Sequence, residues 1–439
     1  MPKFIIDKIG PIEHVDFTLN KVNMLIGPQS SGKSTIAKVI SFCLWLEKDV
    51  LMRRNTDYVS WSFVEKQLLE FHKLKNYLNE GYAIFFVGDA IDFCYTKDMC
   101  FAKLKDGFER CKIGKVAYIP AERNAVTLPN IASLKMPEYN TRSFIFDWLE
   151  VHQKFQKKNA VDLLKLKLKY YYDESSKDMI VLEDGKEIGL EEASSGLQSV
   201  VPLYVYVYYL THWIYDHQED ISFEKKDRIE GALSREYIKM FSKQMNVVMD
   251  EEFLNQAVKE AKLSPGFKKI LGTAKTLKKA GNDSLDNLLE TVLELEENIS
   301  HPHYSNIIVE EPELNLFPET QKDLIYDLLE MINSGRDHLL MTTHSPYLLY
   351  ALNNCMLGAL VQENIPEEEE GLQKMKDSFV KPEDVSVWEI KNGKFFPYKE
   401  NPNYTIQDER GLIRNNYFDR IMKNIMTDFA ALMDYCDED

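Results

Sequence analysis

The sequence predicts an α/β fold: a mixed β-sheet core flanked by helices and interrupted by helical insertions. Three observations carry this. Residues 22–40 run from an apolar strand through a Gly- and Ser-rich loop into an apolar helix. Residues 306–311 form a second apolar strand, which ends in two carboxylates. Residues 338–344 form a third, which ends at a histidine. An apolar run that closes on polar residues suits a core strand whose carboxyl end faces a ligand crevice.

The loop is the most specific of these signals. Residues 22–40 read VNMLIGPQSSGKSTIAKVI, and Gly27-x-x-x-x-Gly32-Lys33-Ser34 matches the phosphate-loop pattern in full, with a strand before it and a helix after. Gly27 and Gly32 permit backbone angles closed to residues with a Cβ, so the N–H groups around Gln29, Ser30 and Ser31 can turn toward an anion. The helix opening at Lys33-Ser34-Thr35 adds unsatisfied N–H groups and the positive end of its dipole. Lys33 is expected at the β and γ phosphates of a nucleoside triphosphate, and the Ser34 hydroxyl at Mg²⁺.

Length and composition bound the rest. A chain of 439 residues, 44% hydrophobic and 28% charged, exceeds one ordinary core and suggests two or three lobes. No apolar run reaches the ~18 residues of a membrane span, and MPKFIIDKIG carries no signal-like pattern, so a cytoplasmic protein with no membrane contact is expected. Six cysteines show no CxxC spacing. Buried thiols are the expectation, with a zinc site at Cys94, Cys100 and Cys111 the weaker alternative. A net charge of −17 argues against a surface that grips nucleic acid throughout. Lysines crowd residues 154–169 and 259–279, either as solvated helix faces or as a local basic face.

In chain order, residues 3–26 suggest three short strands punctuated by Gly10-Pro11 and Asn20-Lys21, a meander that implies a mixed sheet at this end. The helix after Ser34 is apolar almost all round, the pattern of a buried central helix. WSFVEKQLLEFHKLKNYL (61–78) reads as an amphipathic helix, followed by aromatic-rich short runs. KVAYIPAER (115–123) is a strand ending at Pro120, Glu122 and Arg123, which either face the crevice or form a structural salt bridge. The pattern shifts to period two at LLKLKLKYYY, and Asp184-Gly185 marks a hairpin. ASSGLQS (193–199) then leads into an apolar helix. Residues 215–300 read as a charged helical insert, residues 385–396 as a hairpin turning at Asn392-Gly393, and residues 411–432 as a helix.

The phosphate loop, Ser194-Ser195-Gly196, Glu310-Glu311 and His344 together resemble, in this order, the ABC-type ATPases: transporter motors and the SMC, Rad50, RecF and OLD proteins. The resemblance covers about residues 1–45 and 115–350. It implies ATP and Mg²⁺ as cofactors, with Glu310 in place of the usual Asp holding the metal through water. It implies Glu311 as the general base, and His344 as the switch histidine at the γ-phosphate. SSGLQ departs from the transporter signature LSGGQ, with Ala193 for Leu and Ser195 for the first Gly. It retains the serine at a helix start. The resemblance further implies that the signature residues complete the site of an opposite subunit, so that two copies sandwich ATP.

Within the family, long coiled-coil arms are missing, and the Gln of transporter motors has only Glu122 and Arg123 in its place. EEPE, YIPAERN and SSGLQS look most like the stand-alone OLD-like ATPases of bacterial antiviral defence, the PARIS type among them. That resemblance implies a sensor or scaffold, assembling as a homodimer or beyond, that answers a phage trigger and controls a separate Toprim nuclease. The roughly 90 residues after His344 show no Toprim pattern. The alternative is a RecF-like repair ATPase that clamps DNA with its lysine runs. The expected organisation is a core from 1–46 and 113–140, an insertion at 47–112, a signature lobe at 141–214, a helical insertion at 215–300, core again at 301–360, and a C-terminal hairpin and helix at 361–439. Lys33, Glu311 and His344 are the candidate catalytic groups. Gly27, Gln29, Ser30, Ser31, Gly32, Lys33, Ser34, Thr35, Arg123, Ser194, Ser195 and Gly196 are the candidate nucleotide contacts, and Ser34 and Glu310 the candidate metal ligands.

Overall fold

The computed structural model describes residues 1–217 except 130, 132–134, 165, 174 and 176, scattered positions between 231 and 260, and residues 301–396 and 406–435. The insert expected at 215–300 and the lysine run at 259–279 lie almost wholly outside them.

The strands, in chain order, are β1 (Lys3–Ile9), β2 (Ile12–Thr18), β3 (Val22–Ile26), β4 (Leu78–Val87), β5 (Ile91–Thr96), β6 (Cys100–Leu104), β7 (Lys115–Ile119), β8 (Val161–Leu163), β9 (Leu168–Tyr172), β10 (Asp178–Val181), β11 (Glu187–Gly189), β12 (Ser305–Glu310), β13 (His338–Thr342), β14 (Val385–Lys391) and β15 (Lys394–Phe396). The principal helices are α1 (Lys33–Arg53), α2 (Asn140–Val151), α3 (Ser195–Tyr208), α4 (Pro318–Asn333), α5 (Pro346–Val361) and α6 (Tyr417–Met433).

The central sheet has six strands in the order β15-β14-β3-β13-β12-β7. The five from β14 to β7 run parallel, and β15 returns antiparallel at the edge. Parallel strands must be covered on both faces. On one face lie Leu25, Ile308, Leu340 and Trp388 with α1 and a five-stranded antiparallel sheet, β2-β1-β4-β5-β6. On the other lie Val22, Met24, Val309 and Met341 with α2, α3, α4, α5 and a small antiparallel sheet, β11-β10-β9-β8. α1 sits between two sheets, which is why it is apolar all round: its buried residues follow one another through Ile36, Ala37, Val39 and Ile40.

The α/β class and the mixed sheet are as expected, but several elements differ. The expected meander is split. β1 and β2 alternate buried and half-exposed positions and pair in the antiparallel sheet, whereas β3 is buried at every residue and enters the central sheet. β3 is thus buried on both faces and β1 and β2 on one, and the sheets divide accordingly. Helix at 61–78 is confined to Trp61–Val64 and a π-helical continuation to Glu70, after which β4 completes the N-terminal sheet. The hairpin 385–396 forms, with Asn392 and Gly393 at positive φ. Its first strand then joins the core beside β3, with Glu389 opposite Ile26. The last helix begins at Tyr417, because Asn416 and Asp419 form a capping box there.

Candidate nucleotide site

The loop between β3 and α1 has the backbone that the motif requires. Gly27, Ser30 and Gly32 have φ of 146°, 58° and 106°. A Cβ on Gly27 would lie 2.6 Å from the Ile390 carbonyl oxygen. The loop is therefore shaped partly by β14, and Gly27 is required by both backbone angle and space. α1 begins without a side-chain cap and without an acid in its first turn, so its leading N–H groups remain available to an anion. Ser31 Oγ is buried without a partner in hydrogen-bond geometry. Gln29 and Ser30 are exposed, Ser34 is half-buried, and Thr35 is buried.

Lys33 is buried and lies over the loop, donating to the Gly27 carbonyl at 3.0 Å and the Pro28 carbonyl at 2.9 Å. Burial pulls its pKa down to about 8, and the charges of Glu311 and Glu313 oppose the fall. The turn at the carboxyl end of β12 supplies both partners. Glu310, the last residue of β12, is buried, and its Oε1 has no partner in hydrogen-bond geometry. Glu311 adopts φ 43°, a strained angle for a side chain of this size, and its N–H is held by the Thr342 carbonyl at 2.9 Å. Its carboxylate lies 3.7 Å from His344 Nε2. The His344 N–H donates to Glu313 Oε1 at 2.6 Å. Burial and the Lys33 charge lower the His344 pKa, which favours the neutral ring.

Lys33, Glu311, His344 and Glu313 thus form one electrostatic cluster. Glu313 was not singled out from the sequence, although it is the last carboxylate of EEPE. Burial raises its pKa, and its Oε2 is buried without a partner. The signal for it was Pro312, which fixes the turn between two acids.

Arg123 does not contact this cluster as a nucleotide ligand. It is fully buried, and each of its five N–H groups faces a main-chain carbonyl: Ser199 at 3.0 Å, Pro120 at 3.3 Å, Glu310 at 2.9 Å, Glu311 at 2.9 Å and Pro312 at 3.2 Å. This corrects the expectation for Arg123. With no donor left over, it is a clamp joining β7, α3 and the turn after β12. Burial brings its pKa down to about 10, against the pull of three glutamates.

Ser194 and Ser195 are exposed at the start of α3, where Ser194 Oγ accepts the Leu197 N–H at 3.4 Å. A Cβ on Gly196 would lie 2.9 Å from the Asn315 carbonyl oxygen, and Asn315 Nδ2 donates to Ser199 Oγ at 2.8 Å. The signature segment is therefore built onto the same turn that carries Glu311 and Glu313. α3 packs in the core on one face of the central sheet and α1 in the core on the other, so the two motifs belong to different layers.

Three of the six lysines of 154–169 are engaged in surface ion pairs. Lys157, Lys167 and Lys169 pair with Glu187, Glu183 and Asp162 at 2.6, 2.5 and 3.0 Å. Cys94 and Cys100 face opposite sides of their sheet, since Cys94 pairs with Phe101 and Tyr95 with Cys100. That removes the zinc alternative. Among the described residues no helix is long and apolar enough to cross a membrane.

Residues 214–349 match the family model described as an AAA ATPase domain. The chain is an ATPase. The matched segment contains Glu310, Glu311, Glu313 and His344, while the phosphate loop and Ser194 precede it. No curated protein matches the chain. Among solved structures, the ATPase is similar to an SMC head domain from Thermotoga maritima, with 11% identity, 80% of this chain and 90% of that chain covered, and a TM-score of 0.32. It is also similar to a RecF recombination mediator protein (11% identity, coverage 90% and 96%, TM-score 0.28) and to a dimeric ATP-binding cassette bound to ADP and Pi (12% identity, coverage 91% and 98%, TM-score 0.23).

Proposed function

We propose that this ATPase is of the ABC type. ATP held on the phosphate loop of one copy is closed over by Ser194, Ser195 and Gly196 of a second, and this closure serves bacterial antiphage defence by holding or releasing a separate Toprim-type nuclease. The observation that carries the reading is the cluster in which Lys33, Glu311 and His344 act on one another at the ends of adjacent strands. In it, Lys33 and the N–H groups of the loop and of α1 hold the phosphates. Glu311, shaped by a strained turn, orients the attacking water and accepts its proton. His344 is a donor or acceptor at the γ-phosphate. The buried, unpartnered oxygen of Glu310 and the Ser34 hydroxyl fit Mg²⁺, which when bound neutralises charge developing on the phosphates. The defence role is supported by EEPE, YIPAERN and SSGLQS in an ATPase with a net charge of −17.

Glu311→Gln tests the reading. It is expected to keep ATP affinity, lose on the order of 10²–10³-fold in turnover, and trap a closed ATP-bound dimer. Unchanged turnover would remove Glu311 as the base. Co-expressed with the neighbouring gene's product, the trapped form is expected to co-purify with a Toprim nuclease, and absence of any such complex removes the effector from the reading.

A further inference from the structure

We infer that α6 is a self-association element, which packs side by side against α6 of a second copy of this chain in a two-fold interface that needs no nucleotide. Tyr417 and Phe418 rest against the core, and from Ile421 onward every residue of the helix is exposed. Its seven large apolar side chains from Ile421 to Met433 are between 40 and 69% exposed. They are not scattered. Met422, Ile425, Phe429 and Leu432 recur at three-four-three spacing, the seam of a helix that pairs with another helix. Lys423, Thr427 and Asp428 occupy the other side.

Such a stripe does not persist bare in water. With Ile421, Met426 and Met433 beside it, the seam presents on the order of 700 Å² of apolar surface, more than a typical monomer exposes in one patch and close to the roughly 800 Å² per partner of a stable interface. From Ile421 onward α6 buries no side chain against its own chain, so a covered face would supply the packing that most helices draw their stability from. The base of α6 is nonetheless fixed. Arg420 pairs with buried Glu389 on β14, and the Tyr350 hydroxyl on α5 donates to Asp419 Oδ1 at 2.5 Å. The helix is therefore held out from the body at a defined angle.

Charge selects the occupant. A helix lying on a membrane carries Lys and Arg across its polar face. Here Arg420 is committed to Glu389, and Lys423 stands among Asp419, Asp428 and Asp434 on a chain of net charge −17. The seam itself contains no charge, so the same stripe on a second copy meets it without like-charge contact, as an isologous two-fold requires.

The test is the mass of the full chain in solution without nucleotide, by sedimentation or light scattering. Wild type and Lys33→Ala, which lacks the phosphate-loop cation, are both expected at twice the 51.2 kDa of one copy. Ile425→Glu combined with Phe429→Glu is expected at one copy, with its unfolding midpoint unchanged, while Thr427→Lys on the polar side stays dimeric. A monomeric wild type, whether or not it binds phosphatidylglycerol vesicles, overturns the proposal. So does a double variant that keeps the dimer mass. Because Lys33→Ala removes the ATP-dependent contact, failure of the sandwich would leave this result untouched.

Discussion

At the scale of single residues, Lys33 shows how burial makes a charge conditional. A free lysine titrates near ~10.4, and here burial brings the ammonium down to about 8. The charged form is the one that faces a triphosphate, and bound phosphates raise the pKa again. The sign follows from linkage. Below about pH 8 the free protein already carries the proton and affinity is flat. Above it, a proton must be taken up on binding, and affinity falls by up to about tenfold per pH unit. Calorimetric ATP affinities at pH 7 and pH 9 check this, and equal values would show that the Lys33 charge is not lost in that window. The phosphate-loop residues were legible in the sequence because such a loop is a local device, a strand, a turn and a helix in one run of residues. The environment of Lys33 was not, since Glu311 and Glu313 reach it from a turn nearly three hundred residues away.

At the scale of elements, Arg123 is the joint between three pieces of chain. Its five bonds hold the end of β7, the first turn of α3 and the Glu310–Pro312 turn in one geometry. Ser194 and Glu311 therefore cannot move independently. Arg123→Ala leaves five carbonyls to find other partners in a buried place and is expected to cost about 3–5 kcal/mol in denaturant unfolding. Arg123→Lys, which keeps the charge but loses the planar fork, is expected to recover only part of it. Full recovery would show that charge alone, and not the fan of bonds, holds the joint. From the sequence, Arg123 at the end of a core strand pointed equally to the crevice or to a structural role, because a strand end presents polar groups either way. Complete burial decided for structure. β14 shows the same limit at the level of topology. Its hairpin was plain from Asn392-Gly393, yet nothing in residues 385–396 announced that they would lie beside β3 and shape the phosphate loop through Ile390.

At the scale of the whole molecule, the phosphate loop and Ser194 lie in different layers, and in the proposed site a second copy brings them together. Lys33→Ala and Ser194→Arg should each be inactive alone. Mixed as subunits that exchange, they form heterodimers with one intact site. Activity should then return to about a quarter of wild type if the two sites are independent. No recovery on mixing would mean that each copy carries a complete site. What the sequence determined by itself was the chemistry within short runs: the phosphate loop, the Glu310-Glu311 strand end and the serine at the start of α3. Those signals depend on backbone periodicity and local turns, which neighbouring residues fix. Only the tertiary structure decided that Glu313 holds the His344 backbone, that Arg123 is a clamp, that β14 borders the loop and that α6 stands exposed. Each of these depends on which distant surfaces meet, and burial and distance between remote segments are not written in any one stretch of chain.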